Sequence, residues 1–233
     1  LELGGHAPML VFEDADIESA VRIAMAAKYR NGGQTCICPN RFLVHASIHD
    51  AFVAALAEAS AALVSGIGTR PGVALGPMID DAAIEKVEAH VTDALRRGAT
   101  VVTGGGRRKV EGAADRFHEP TVLTGCTVEM KCWREETFGP VCPVRAFRDD
   151  DEAIALANDS EYGLAAYAIT SNPRRIERLG LELRTGVVGI NDPGPAVAAV
   201  PFGGVRHSGF GREGGRWGLE EYLEIVTVSQ ADG

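Results

Sequence analysis

Apolar positions at Ile17, Val21, Ala24 and Met25 recur at the spacing of one helix face. Asp14 or Asp16 is placed to cap that helix, and Gly32-Gly33 to end it. The same period runs through the alanine-rich stretch 48–63 and again through 82–97, where Arg96 and Arg97 suit the negative end of a helix and Gly98 stops it. Residues 151–157 predict a further helix, and 173–181 another, opened by Pro173. Between these lie short runs that read as strands: 1–3, 9–12, 42–44, 100–103, 121–123, 141–147, 167–170 and 187–190. The glycine- and proline-rich stretch 192–218 reads as loop, and the alternation over 222–229 predicts a last strand. Strands separated by helices predict an α/β fold, a mostly parallel sheet flanked by helices.

Composition narrows the function. The 233 residues carry 23 basic and 32 acidic side chains, for a net charge of -9. That balance, with no basic block beyond the solvated turn Arg107-Arg108-Lys109, excludes nucleic acid and anionic membrane as natural partners. No apolar run approaches the ~20 residues of a membrane helix, and the chain opens on no secretory leader. It begins at Leu1, within a predicted strand, so a piece of something longer is expected. Its five cysteines are odd in number and scattered, which fits a reducing, cytoplasmic setting better than a disulfide framework.

The chemistry centres on Cys36, in Asn31-Gly32-Gly33-Gln34-Thr35-Cys36-Ile37-Cys38. A thiol after a helix end and a double glycine is expected to see backbone N–H groups, which would lower its pKa and favour thiolate. Cys38 reads either as a small packing residue or as a redox partner of Cys36; the spacing does not suit a zinc knuckle, and no metal is expected. Glu2, before Gly4-Gly5, can be aimed into a cleft as a base, and Glu135-Glu136 form a paired-carboxylate loop. Gly104-Gly105-Gly106 lacks a phosphate-binding form and reads as a turn. The six histidines show no ligand spacing.

In order along the chain stand Leu1-Glu2-Leu3-Gly4-Gly5, Gly33-Gln34-Thr35-Cys36, Glu135-Glu136-Thr137-Phe138-Gly139-Pro140-Val141 and Asn158-Asp159-Ser160-Glu161-Tyr162-Gly163-Leu164. Pro201-Phe202-Gly203-Gly204-Val205-Arg206-His207-Ser208-Gly209 follows, then Gly211-Arg212-Glu213-Gly214-Gly215 running into Gly218-Leu219-Glu220-Glu221-Tyr222. Together they resemble the catalytic, C-terminal half of the aldehyde dehydrogenase superfamily. The resemblance implies oxidation of a small-molecule aldehyde to a carboxylic acid with NAD or NADP, through a cysteine thiohemiacetal and a thioester. By it Cys36 matches the nucleophile and Glu2 the general base for deacylation. Glu136 matches the residue that holds the nicotinamide ribose, Phe138 lies on the nicotinamide side, and Phe202 lines the substrate pocket. It also implies a homodimer or homotetramer, a catalytic domain over 1–219, and an oligomerisation strand and tail over 220–233. Arg212 and Glu224 match a pair near the subunit contact.

Within the family, Gly33-Gln34-Thr35-Cys36-Ile37-Cys38-Pro39-Asn40-Arg41 is most similar to succinate-semialdehyde dehydrogenases. There the second cysteine, here Cys38, acts as a redox partner, and the arginine matching Arg30 pairs with the substrate's distal carboxylate. Two departures stand beside this. Ala196 replaces a serine that helps hold that carboxylate, so a related semialdehyde also fits. The family's dinucleotide-binding half precedes the Glu-Leu-Gly-Gly segment and is absent from this sequence, so the chain alone is expected to lack dehydrogenase activity. A non-catalytic assembly fragment that pairs with such subunits is the alternative.

Overall fold

The computed structural model describes residues 1–232. Seven strands form one sheet: β1 (Ala7–Val11), β2 (Pro39–His45), β3 (Thr100–Thr103), β4 (Thr121–Thr124), β5 (Val141–Phe147), β6 (Ala165–Ile169) and β7 (Val187–Ile190). Their order across the sheet is β3-β4-β5-β2-β1-β6-β7. Every pairing is parallel except that of β3 with β4. The helices are α1 (Ile17–Lys28), α2 (His49–Ala61), α3 (Asp81–Arg96), α4 (Lys131–Arg134), α5 (Asp150–Asn158), α6 (Pro173–Glu182) and α7 (Trp217–Glu220). The predicted α/β class and flanked parallel sheet are therefore borne out.

Strand alternation divides the core between the two faces of the sheet. Met9 and Val11 of β1 pack with Ala20, Ile23 and Ala24 of α1 and with Phe52 and Leu56 of α2. Leu10, Phe12 and Leu43 pack on the other side with Ile84 and Val87 of α3, Ile154 of α5 and Leu179 of α6. All five residues of β1 are buried, as expected of a central parallel strand covered on both faces. Helix starts follow the polar signals: Asp16 accepts from Ser19 N at 2.8 Å, Asp80 from Ala83 N at 2.8 Å, and Asp149 from Glu152 N at 2.9 Å. Asp14, the other candidate cap, instead accepts from the Thr170 hydroxyl at 2.9 Å and pairs with Arg175 at 3.0 Å.

Two sequence expectations are corrected. Residues 1–3 form no strand beyond the single bridge Glu2↔Gly209, because the sheet starts at Ala7 and the leader runs across to the loop near 209 instead. Tyr222 to Ser229 form no strand either. Alternation alone does not make a strand; it needs a ladder partner, and this stretch has none among the described residues, leaving Ile225 98% and Val228 86% exposed. The short helix α4 and the 3-10 turns Arg30–Gly33 and Arg206–Ser208 were too brief to leave a periodic signal. No helix among the described residues is long and apolar enough to cross a membrane.

Candidate active site

The end of α1 sets the position of Cys36. After Tyr29 the backbone takes three left-handed steps, Asn31 (φ 50), Gly32 (φ 65) and Gly33 (φ 80). Asn31 Nδ2 donates to the Gln34 carbonyl at 3.0 Å, and Gln34 Nε2 returns to the Asn31 carbonyl at 3.1 Å. Gly33 then passes so close to the 135–140 loop that a Cβ there would fall 2.3 Å from the Gly139 carbonyl oxygen. Only glycine meets both demands, a left-handed backbone and this approach. A tight turn follows, closed by Cys38 N–H donating to the Thr35 carbonyl at 3.1 Å, with Cys36 inside it.

The structure brings Cys36 and Glu2 together. The half-buried Cys36 Sγ donates to Glu2 Oε1 at 3.6 Å, across 34 residues of sequence. Glu2 is held there by its leader: Leu3 N–H donates to the Ser208 carbonyl at 3.1 Å, and Phe210 N–H to the Leu1 carbonyl at 3.0 Å. Ser208 is itself fixed, its buried Oγ accepting from Gly163 N at 3.0 Å. The Gly163–Leu164 and Pro201–Gly209 motifs thus act on the site by carrying Glu2.

One electrostatic expectation is corrected. The Cys36 thiol is pushed above its ordinary pKa, by burial first and then by the Glu2 carboxylate. Its own N–H favours thiolate but is outweighed. A neighbouring anion and partial desolvation both disfavour a second negative charge. The resting form at Cys36 is therefore the thiol.

Glu136 comes from the loop after α4. Its Oε1 accepts from Gly5 N at 2.9 Å, tying this loop to the leader that carries Glu2. Burial raises the Glu136 carboxyl above the usual range. Half-buried Phe138 sits in a left-handed backbone (φ 54), rare for a bulky residue, on the same loop. The buried His90 of α3 braces this loop: Nδ1 lies 3.1 Å from Thr137 Oγ1 and Nε2 3.4 Å from Glu135 Oε2. Phe202 is half-buried and packs against the core cluster that also receives Cys36. It lines a cleft of about 500 Å³ together with Glu2, Arg212 and Tyr222.

The remaining predicted positions stand as follows. Arg30 is exposed at the start of the 3-10 turn; burial raises the Tyr167 phenol, the Cys38 thiol adds to the rise, and the Arg30 charge opposes it. Cys38 is fully buried, its Sγ donating to the Lys28 carbonyl at 3.3 Å, and burial raises its pKa. All five cysteines are free; the Cys36 sulfur faces Glu2, and the Cys38 sulfur faces the Lys28 carbonyl. Arg212 donates through Nη1 to the carbonyls of Gly204 and Gly211 at 2.9 and 2.7 Å; the acid on its backbone N–H is Glu221, at 3.1 Å. No cluster of three or more metal-ligating side chains occurs among the described residues.

Sequence reasoning missed His90, Tyr167 and Lys28. Lys28 is fully buried, its Nζ donating to Asn40 Oδ1 at 3.0 Å. Each falls at an ordinary position in a helix or strand, and only the three-dimensional contact distinguishes it.

A thiol and a carboxylate in contact, with an acidic loop and an aromatic cleft beside them, make up the candidate site on a mostly parallel α/β sheet. Residues 1–228 match the profile of the aldehyde dehydrogenase family, and the chain belongs to that family. It is 50% identical over 229 residues to the mitochondrial succinate-semialdehyde dehydrogenase of Rattus norvegicus, covering 98% of this chain and 43% of that protein. It is 48% identical to the 3-sulfolactaldehyde dehydrogenase of Pseudomonas putida, covering 98% and 46%. The crystal structure of succinate-semialdehyde dehydrogenase from Burkholderia pseudomallei superposes with a TM-score of 0.92 at 49% identity, over 95% of this chain and 45% of that one. The chain spans less than half the length of these relatives.

Proposed function

We propose that this chain carries the nucleophile and the base of an NAD(P)-dependent aldehyde dehydrogenase acting on succinate semialdehyde or a related semialdehyde. The observation that carries the reading is the 3.6 Å contact between Cys36 Sγ and Glu2 Oε1. Glu2 takes the thiol proton as the sulfur adds to the aldehyde carbon, giving a thiohemiacetal. The Cys36 N–H lies on the sulfur side, where it serves the oxyanion that forms on the adjacent carbon. When bound, NAD or NADP supplies the hydride acceptor that converts the thiohemiacetal to a thioester. Glu2 loses the first proton to solvent, then takes one from the water that attacks the thioester and passes it to the departing thiolate, releasing the acid and restoring the thiol. In the resting contact Glu2 touches the sulfur itself, so it swings aside to admit that water.

The residues present fit the ribose and nicotinamide end of such a cofactor. Gly5 N–H fixes one oxygen of Glu136 at 2.9 Å, and the second faces Gly4, where a Cβ would fall 2.7 Å away and so no side chain intrudes. Phe138 supplies an aromatic face on the same loop. Arg30 supports an anionic tail on the substrate, because a guanidinium fork suits a carboxylate or a sulfonate. The names of the rat and Pseudomonas relatives both denote aldehydes with such a tail. Residues 1–219 act as the catalytic unit and 220–233 as the contact to further subunits, in a homodimer or homotetramer. The free state of all five cysteines suits a reducing, cytoplasmic setting.

Alkylation by iodoacetamide at neutral pH tests the reading. Cys36 is expected to react well before Cys126 and Cys132, and equal, slow labelling of all five overturns it. In the complete enzyme, Arg30→Ala is expected to raise KM for carboxylate-tailed aldehydes about tenfold more than for neutral ones; an equal effect on both makes Arg30 structural. A second reading, a non-catalytic assembly fragment, is favoured only by the exposed apolar tail. Size-exclusion chromatography with full-length subunits decides it, since a chain that stays monomeric and ignores them removes it.

A further inference from the structure

Tyr167 lies at the centre of β6, 1% exposed, and sends its hydroxyl out of the strand to the nucleophile turn. The Tyr167 O–H donates to the Ile37 carbonyl at 2.8 Å, across 130 residues. Ile37 is buried, so no water substitutes for that donor. Ile37 is the residue after the nucleophile, and its peptide leads into Cys38, whose N–H closes the turn on the Thr35 carbonyl at 3.1 Å. Gly5, on the segment that carries Glu2, is packed so tightly that a Cβ there would stand 2.2 Å from the Cys36 carbonyl oxygen. The turn is thus contacted both by the segment that carries Glu2 and by the phenol of β6. Gly189 of β7 backs the phenol ring, a Cβ there meeting Tyr167 Cδ1 at 3.1 Å.

We propose that Tyr167 is a positioning residue for the nucleophile: its hydroxyl fixes the 35–38 turn through the Ile37 carbonyl and thereby holds the Cys36 sulfur against Glu2. The proposal rests on the reading of Cys36 as the nucleophile. Tyr167 touches neither substrate nor sulfur in this role. Its replacement by phenylalanine keeps the ring and its packing and removes only the donor.

The carboxylates that act on the Cys36 thiol are Glu2 and Glu136. If the turn loosens, the thiol gains water and moves off Glu2, and both changes ease its ionisation. The test is the pH–rate profile of Cys36 alkylation by iodoacetamide, read by mass spectrometry on the whole chain. In the wild-type chain the midpoint should lie above that of a free cysteine, and Glu2→Gln should lower it. Tyr167→Phe should lower it by about half a unit or more, and in that background Glu2→Gln should add little. Incorporating 4-aminophenylalanine at 167, which restores a donor, should return the profile toward wild type. A Tyr167→Phe midpoint equal to wild type, or an undiminished Glu2→Gln effect in that background, overturns the proposal. A wild-type Cys36 no more reactive than Cys126 would instead remove the nucleophile reading itself.

If the phenylalanine chain does not fold, the wild-type chain with ¹³C at tyrosine Cζ decides. Alkylating Cys36 should then shift the Tyr167 resonance and leave the exposed Tyr222 unmoved. A Tyr167 signal indifferent to alkylation overturns the proposal.

Discussion

The turn around Cys36 and the tail after α7 are both short, irregular and rich in conspicuous residues, yet they are held in opposite ways. The turn has a partner on every side: Glu2 on the sulfur at 3.6 Å, Gly139 against Gly33, and Thr35 closing on Cys38. The tail presents Tyr222, Leu223, Ile225, Val226 and Val228 to solvent, each more than two-thirds exposed. One region completes itself within this chain; the other offers apolar surface of a kind that single folded chains do not keep uncovered. The two regions meet at the cleft that Glu2 and Tyr222 both line.

The strongest way to break that comparison is to remove the group the turn exists to hold. Cys36→Ala should abolish aldehyde oxidation in the complete enzyme and, in this chain, reduce iodoacetamide labelling at neutral pH to background. The other four thiols are buried. Persistent rapid labelling would mean that a different cysteine is the accessible one.

Gly33→Ala attacks the hold instead of the thiol. The new methyl group would meet the Gly139 carbonyl at 2.3 Å on a backbone at φ 80. A loss of about 2 kcal/mol or more in urea unfolding is expected, together with slower capture of Cys36 by aldehyde-like probes. An unchanged urea midpoint would show that the turn shifts freely and is not gripped as described. By contrast, a paired change in the tail, Ile225→Asp with Val228→Asp, should alter stability by no more than about 0.5 kcal/mol. It should reduce assembly seen by size exclusion. A large drop in the stability of the monomer would mean the tail packs on its own chain.

How much of this was legible in the sequence differs between the two regions. Periodicity located α1, α2, α3, α5 and α6 and the strands that carry the site, because each buries an apolar face whose spacing is written in the chain. The ordered motifs pointed to Cys36, Glu2 and Glu136 and to their family. The sign of the Cys36 shift was not legible: the N–H groups were foreseeable from the loop, but the burial and the carboxylate that outweigh them arise only when residue 2 meets residue 36. Tyr167 and His90 were invisible for the same reason, each being an ordinary strand or helix residue until its partner is placed. At the tail the error ran the other way. Alternation over 222–229 read as a strand, but a strand is a relation between two segments, and the second is not among the described residues of this chain.

A last effect, gradual and not a single loss, sharpens the contrast by pH. His6, His90 and His118 are buried in the folded core, and burial pushes each below the ordinary value of 6.5. The tail contains no histidine. A histidine whose folded pKa is depressed stays neutral in the fold while the unfolded chain takes up a proton below about 6.5. Stability is then full above that value and declines as pH falls beneath it. His6 should contribute most. Its Nε2 is within 2.8 Å of the Trp133 carbonyl, while its buried Nδ1 has no partner and the Arg41 guanidinium opposes a second charge nearby. His90 should contribute less, because Glu135 partly offsets its burial. Urea unfolding between pH 7 and 5.5 should show stability falling by up to about 1.4 kcal/mol per unit from His6. His6→Gln should flatten the slope, and the paired tail change should leave it untouched. A slope unaltered in His6→Gln would place the titrating group elsewhere in the core, and a slope altered by the tail change would undo the separation between the two regions.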